Sequence, residues 1–119
     1  MNNEVFWLLE LNIKSGEVGT LKALMKEMSD ATQADEPGTL NYEWFINADG
    51  TTCHIYERYA DSAATMIHLE NFGAKFAERF MAILEPTRFM VYGNPDDAVK
   101  KALEDMGVEF VTPLGGFAR

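Results

Sequence analysis

Residues 4–14, EVFWLLELNIK, alternate in polarity. Val5, Trp7, Leu9, Leu11 and Ile13 share one side, and Phe6, Leu8, Glu10 and Asn12 share the other. A period of two predicts a strand, and here both faces are partly apolar. The period then changes. In SGEVGTLKALMKEMSDATQ, the residues Val18, Leu21, Leu24, Met25 and Met28 recur at steps of three and four, the stripe of an amphipathic helix. Ser15 is the expected N-cap, and Glu17 suits the first turn. Glu36-Pro37-Gly38 predicts a turn, because proline fixes φ and glycine tolerates positive φ.

Residues 39–59, TLNYEWFINADGTTCHIYERY, read as a β-hairpin. Asp49-Gly50 predicts a type I′ turn that pairs Ala48 with Thr51. Counting outward, Ile46 faces Cys53, Trp44 faces Ile55, Tyr42 faces Glu57 and Leu40 faces Tyr59. A glutamate thus falls in the middle of an apolar face. The opposite face carries Asn41, Glu43, Phe45, Asn47, Thr52, His54, Tyr56 and Arg58. Asp61 is a good N-cap for a helical segment over residues 62–84, with Leu69, Phe72, Phe76, Phe80 and Ile83 as its stripe and Gly73 as a weak point or break. PTRFMVYG predicts a fourth strand. NPDDAVKKALEDMG predicts a short helix with Asn94 as N-cap, Pro95 at its first position and Gly107 past its end. Lys100/Glu104 and Lys101/Asp105 would pair on its wet side. VEFVT predicts a fifth strand, followed by the apolar tail PLGGF.

The order β-α-β-β-α-β, with an added α-β, predicts an α+β ferredoxin-like sandwich. Residues 1–93 form its main body, and residues 94–119 are a helix-strand extension of the same domain. Helices can cover only one face of the sheet. The other face presents Phe6, Leu8, Phe45 and Tyr56, so a second sheet is expected on it and the chain is expected to be a homodimer.

Composition narrows the function classes. A chain of 119 residues is one domain. No apolar run is long enough to span a membrane, and MNNEVFWLLE lacks the pattern of a signal peptide. A single cysteine, Cys53, excludes an internal disulfide and makes a reducing cytoplasm the default. A net charge of −9 argues against nucleic acid or anionic membrane as partner. Cys53 and His54 are neighbours on a strand and point to opposite faces, so they cannot share a metal. The glycines form no phosphate-binding loop.

EPGTLNYEWF and HIYERYADSAATMIHLENF together resemble the antibiotic biosynthesis monooxygenase family, which includes small quinol monooxygenases. The shared pattern is an EPG turn, a Tyr-bearing strand, a YER-aromatic strand end, and a helix with HL followed by Phe. It covers about the first three-quarters of the chain, and residues 94–119 lie outside it. The resemblance implies a dimeric α/β barrel with a pocket between sheet and helices. It also implies oxygenation of a small phenolic, quinol or polyketide-like aromatic by dioxygen, without metal, flavin or haem. A haem-degrading branch of the wider family relies on a Trp and a downstream His. Those places hold His68 and Glu78 here, which removes the axial ligand.

Within this frame Glu57 is the first candidate. A buried carboxylate must be hydrogen-bonded, paired or protonated. It is either an acid/base or substrate-hydroxyl contact, or a structural glutamate holding Tyr42 or a helix amide. His68, beside the apolar stripe, is either a base for a phenolic proton or a boundary histidine bonded locally. Asn71, one turn later, is placed to bond a substrate oxygen or to face solvent. Trp7, Tyr42, Trp44, Phe72 and Phe76 suit either a flat aromatic substrate or an ordinary core. The expected proton acceptor is His68 or Glu57. The alternative is a non-catalytic dimeric barrel that binds a small aromatic ligand or a partner.

Overall fold

A computed structural model describes residues 3–119; Met1 and Asn2 of the N-terminal MNNEVFWLLE lie outside them. The chain runs β1 (Val5–Ile13), α1 (Val18–Asp35), β2 (Thr39–Ile46), β3 (Thr52–Tyr59), α2 (Ser62–Lys75), α3 (Ala77–Ile83), β4 (Leu84–Gly93), α4 (Asp97–Leu103) and β5 (Val108–Val111). The strands form one sheet in the order β2-β3-β1-β4-β5. The first four are antiparallel, as the ferredoxin-like class requires. β5 joins the far edge parallel to β4 after the α4 crossover. Within one chain the sheet is open, ending at β2 and β5, and does not close into a barrel.

The central strand β1 sets the register. Trp7 lies between Glu57 of β3 and Val91 of β4, and Leu9 between Ile55 and Phe89. The hairpin pairs Ile46 with Cys53, Trp44 with Ile55 and Tyr42 with Glu57, as its sequence predicts. Its outer end departs from the expected count. A register shift between Thr39 and Asn41 brings Thr39, not Leu40, opposite Tyr59, and Leu40 is left exposed. The turn also differs from type I′. Only Gly50 has positive φ, and its N–H donates to the Asn47 carbonyl at 3.2 Å. The Asn47 side chain and Asp49 both bond Thr51, which holds this wider loop without changing the register.

Helix ends were the least legible elements. α1 starts after Glu17, which makes no side-chain cap, so Ser15 lies outside it. Asp61 does cap α2, accepting from the Ala64 N–H at 2.8 Å. The long helical segment breaks at Phe76, three residues beyond Gly73, where φ is −127°. α4 is capped by Asp96, which accepts from Val99 N–H at 3.0 Å, rather than by Asn94. It ends at Leu103, too early for Lys100/Glu104 and Lys101/Asp105 to sit on one helical face. Neither pair is among the ion pairs of the described residues.

The helices bury one face of the sheet in two clusters. One gathers Leu11, Leu21, Leu24, Met28, Ile55, Phe80 and Ile83 under α1 and α3; the other gathers Val5, Trp7, Tyr59, Phe89, Val91, Val99 and Leu103 under α2 and α4. Leu9 packs against both. On the opposite face Phe6 stacks on Tyr92 at 5.2 Å and meets Tyr56 edge-on, while Phe45 is 53% exposed. Among the described residues no helix is long and apolar enough to cross a membrane.

Candidate active site

The seam between the two clusters is not filled. A cavity of about 440 Å³ opens there, bounded by the sheet residues Trp7, Leu9, Tyr42, Ile55, Glu57 and Phe89 and by the helical residues His68, Leu69, Phe72 and Phe80. Its size falls within the range usual for small-molecule sites, about 300–1,000 Å³. The walls are almost wholly apolar, and Glu57 and His68 bring their charge to one place.

That place is built by three elements. Tyr59 and Glu57 share the inner face of β3 because they are two residues apart. His68 projects from the sheet-facing side of α2. Glu36 arrives from the end of α1, and the chain there is held close to α2. A Cβ on Gly38 would stand 2.6 Å from the Ala64 Cβ, so only glycine permits this approach. Ala60 N–H donates to the Gly38 carbonyl at 2.9 Å, fixing the turn against β3.

The result is a buried line of charge. His68 Nδ1 lies 2.8 Å from Glu36 Oε1, and Nε2 lies 3.1 Å from Glu57 Oε1. The Tyr59 hydroxyl donates to Glu57 Oε1. Glu36 also accepts from Thr39 Oγ1 at 2.9 Å and Asn71 Nδ2 at 3.2 Å. Glu36, Glu57 and His68 are each 5% exposed or less. Buried ions are tolerated only when they are paired and hydrogen-bonded, and this set meets that condition.

Burial by itself would lower the His68 pKa. The hydrogen bonds and charges of Glu36 and Glu57 outweigh it and push the value up to about 9. Burial would likewise raise Glu36, but His68 overcomes it, helped by Asn71 and Thr39, and holds the carboxyl below its usual range. Tyr59 and Tyr42 are pushed well up, by burial first and by the Glu57 charge second, so both phenols stay protonated. At neutral pH the imidazole is therefore an imidazolium donating from both nitrogens. It has no lone pair with which to take a proton. The remaining acceptor is Glu57. Its Oε1 serves Tyr59 and His68, while among the described residues no hydrogen bond or ion pair engages Oε2.

Five of the eight residues singled out in the sequence border the cavity: Trp7, Tyr42, Glu57, His68 and Phe72. Three do not. Asn71 is turned to Glu36 and steadies that carboxylate. Phe76 lies within the α1/α3 cluster, and Trp44 packs against that cluster, edge-on to Phe80 at 6.1 Å. Glu57 holds Tyr59 and His68 instead of Tyr42, which stands across the hairpin from it. Sequence reasoning missed Glu36 and Tyr59 as members of the cluster. The EPG turn was the available signal for Glu36, but nothing in its spacing tells that α2 will pass beside it.

The sequence profile described as antibiotic biosynthesis monooxygenase matches residues 5–75, a span that contains Glu36, Glu57, Tyr59 and His68. A search of curated proteins gives no match. Among solved structures the chain is similar to MupZ from Pseudomonas fluorescens, with 26% identity and a TM-score of 0.88 over 100% of this chain and 91% of that one. It is also similar to Rv0793 from Mycobacterium tuberculosis, with 25% identity and a TM-score of 0.60 over 80% of this chain and 98% of that one. SnoaB from Streptomyces nogalater, a cofactor-independent oxygenase solved as a mutant, shares the fold at 14% identity, with a TM-score of 0.65 over 79% of this chain and 95% of that one. A ferredoxin-like sheet with its cavity on the helical side and a profile match through β1, α1, the hairpin and α2 lead to one conclusion: this chain belongs to the antibiotic biosynthesis monooxygenase family.

Proposed function

We propose that the protein is a cofactor-independent monooxygenase of a small phenolic, quinol or polyketide-like aromatic substrate. Family membership supports a general monooxygenase role, and a structural relative is named a cofactor-independent oxygenase. The observation that carries the finer reading is Glu57. Its carboxylate stands at the wall of an apolar, ring-lined cavity, with one oxygen unengaged among the described residues and an imidazolium fixed beside it.

In this reading Trp7, Tyr42 and Phe72 hold the ring, and the substrate hydroxyl donates to Glu57 Oε2. Transfer of that proton leaves an electron-rich anion, and the His68 charge stabilises it in a site of low dielectric. The anion passes an electron to dioxygen, and the two radicals combine at carbon. For an anthrone-like CH2, loss of water then leaves C=O. Four electrons leave that carbon, one oxygen atom stays on it, and the other departs as water, so no external reductant is required. Asn71 and Glu36 act through His68 by keeping it charged and in place.

The outer sheet face, with Phe6, Phe45, Tyr56 and Tyr92, supports a homodimer joined sheet to sheet, and the single cysteine, Cys53, supports a reducing cytoplasm as its compartment. Sedimentation at micromolar concentration tests the dimer, and a stable monomer refutes it.

Oxygen uptake by metal-free protein with a panel of hydroquinones and anthrones tests the activity. Turnover above autoxidation is expected, and Glu57→Gln, still folded by circular dichroism, should lower kcat about 10²–10⁴-fold. Full activity in that variant removes Glu57 as the acceptor. Ligand binding without turnover across the panel favours a non-catalytic binding protein.

A further inference from the structure

The cavity has a closed end and an open one. Trp7, Ile55, Glu57, His68, Phe80 and Phe89 line it with less than a tenth of their surface exposed. The other end is rimmed by Met81, Pro86, Asp105 and Met106, all exposed; Met81 is 48% and Met106 50% accessible. The charged cluster therefore sits at the floor, and the rim is two methionines, a proline and one carboxylate.

All four rim residues lie outside the segment that the family profile matches, and two of them, Asp105 and Met106, come from the turn after α4. That turn is firmly placed. Val99 and Leu103 are fully buried in the second cluster, and the Asp96 backbone N–H donates to Ser62 Oγ at 2.9 Å. Met106 N–H then donates to the Leu103 carbonyl at 3.0 Å, and Gly107 at φ +68° turns the chain into β5. Asp105 was expected to pair with Lys101 on a wet helical face. It instead borders the cavity, with no hydrogen bond or ion pair among the described residues.

A hydroquinone ring with its two oxygens leaves more than half of the cavity of about 440 Å³ empty. The space left over leads from the floor to the rim. Methionine side chains are flexible and polarizable and pack against apolar groups of varied shape. A carboxylate at a mouth disfavours an anion passing it and attracts a cation or a hydroxyl donor.

We propose that the turn after α4 is a specificity element. It admits a ring substrate bearing an extended apolar chain, which Met81 and Met106 hold, and Asp105 selects a cationic or hydroxyl-bearing chain end over a carboxylate. The orientation of the ring rests on the function proposed above, whereas the chain and its terminus are read from the rim alone.

Binding can be measured apart from turnover. Calorimetric titration under argon, with hydroquinones carrying tails of zero, four and eight carbons ending in methyl, ammonium or carboxylate, reads both properties. Kd should fall by up to about fourfold per methylene until the chain passes the rim. The ammonium-ended tail should bind about two- to fivefold tighter than the carboxylate-ended one. Asp105→Lys should reverse that order, and Met81→Ala with Met106→Ala should flatten the dependence on length. These positions are exposed, so the variants should fold. The proposal is overturned if Kd is independent of tail length, if Asp105→Lys leaves the order of termini unchanged, or if no member binds. Absence of oxygen uptake together with the expected Kd pattern removes the proposed activity and leaves the specificity element standing. Turnover of the hydroquinones with a flat Kd pattern does the reverse.

Discussion

Neutralising Glu36 is the most informative perturbation of the buried cluster, because Glu36 touches His68 without bordering the cavity. The His68 pKa of about 9, against the ordinary 6.5, corresponds to about 3 kcal/mol of preference for the charged form. The folded value is raised, so this contribution is fully present below pH 6.5 and is lost as pH rises from there through about 9. Glu36 describes the same contact from the other side. Its folded value is depressed, so its contribution is present above about pH 4.5 and is lost as pH falls through the lowered value. The two are one interaction and do not add. Cys53, pushed up to about 11 by burial, and the raised tyrosines matter only from about pH 9 upward. Glu36→Gln keeps the shape and removes one of two carboxylates. The His68 midpoint should fall by at least about one pH unit, and stability at pH 7 by about 1.5–3 kcal/mol, the range for a hydrogen bond to a charged group. Imidazole resonances followed by NMR from pH 5.5 to 9.5 give the midpoint, with His54→Gln assigning the only other histidine. Urea unfolding at pH 6 and pH 9 gives the stability. A wild-type His68 midpoint near 6.5 would refute the imidazolium and return His68 to the role of base. A midpoint near 9 that survives Glu36→Gln would show that Glu36 does not set it.

Tyr59→Phe removes the hydroxyl that donates to Glu57 while keeping a fully buried ring, and urea unfolding should record a loss of about 1–2 kcal/mol. Gly38→Ala drives a Cβ into Ala64 and should cost about 1–3 kcal/mol by thermal denaturation, with the His68 midpoint falling as Glu36 is displaced. Gly73→Ala meets nothing within 4 Å inside α2 and should instead gain up to about 1 kcal/mol. Leu103→Ala should cost about 2–5 kcal/mol and loosen the turn that carries Asp105 and Met106, seen as increased amide exchange there.

The sequence by itself determined the element order, and from it the ferredoxin-like class, because local periods of two and of three to four report which faces are buried. It determined most of the hairpin register too: side chains alternate strictly, so Glu57 had to fall on the apolar face opposite Tyr42. Helix ends were less legible. Several polar residues near each boundary are competent caps, and packing chose Asp96 over Asn94 and displaced the break from Gly73 to Phe76. Only the tertiary structure decided the chemistry of the site. Glu36 and His68 are separated by 32 positions, and no local pattern brings the end of α1 against α2. That depends on Gly38 passing Ala64 and on β2 lying at the sheet edge. The same holds for the cavity. Trp44 and Phe76 look identical in pattern to Trp7 and Phe72, but the first two pack into or against a closed cluster and the second two border a gap. Whether facing side chains meet or leave a space depends on how two layers are set against each other, and local periodicity carries no record of that distance.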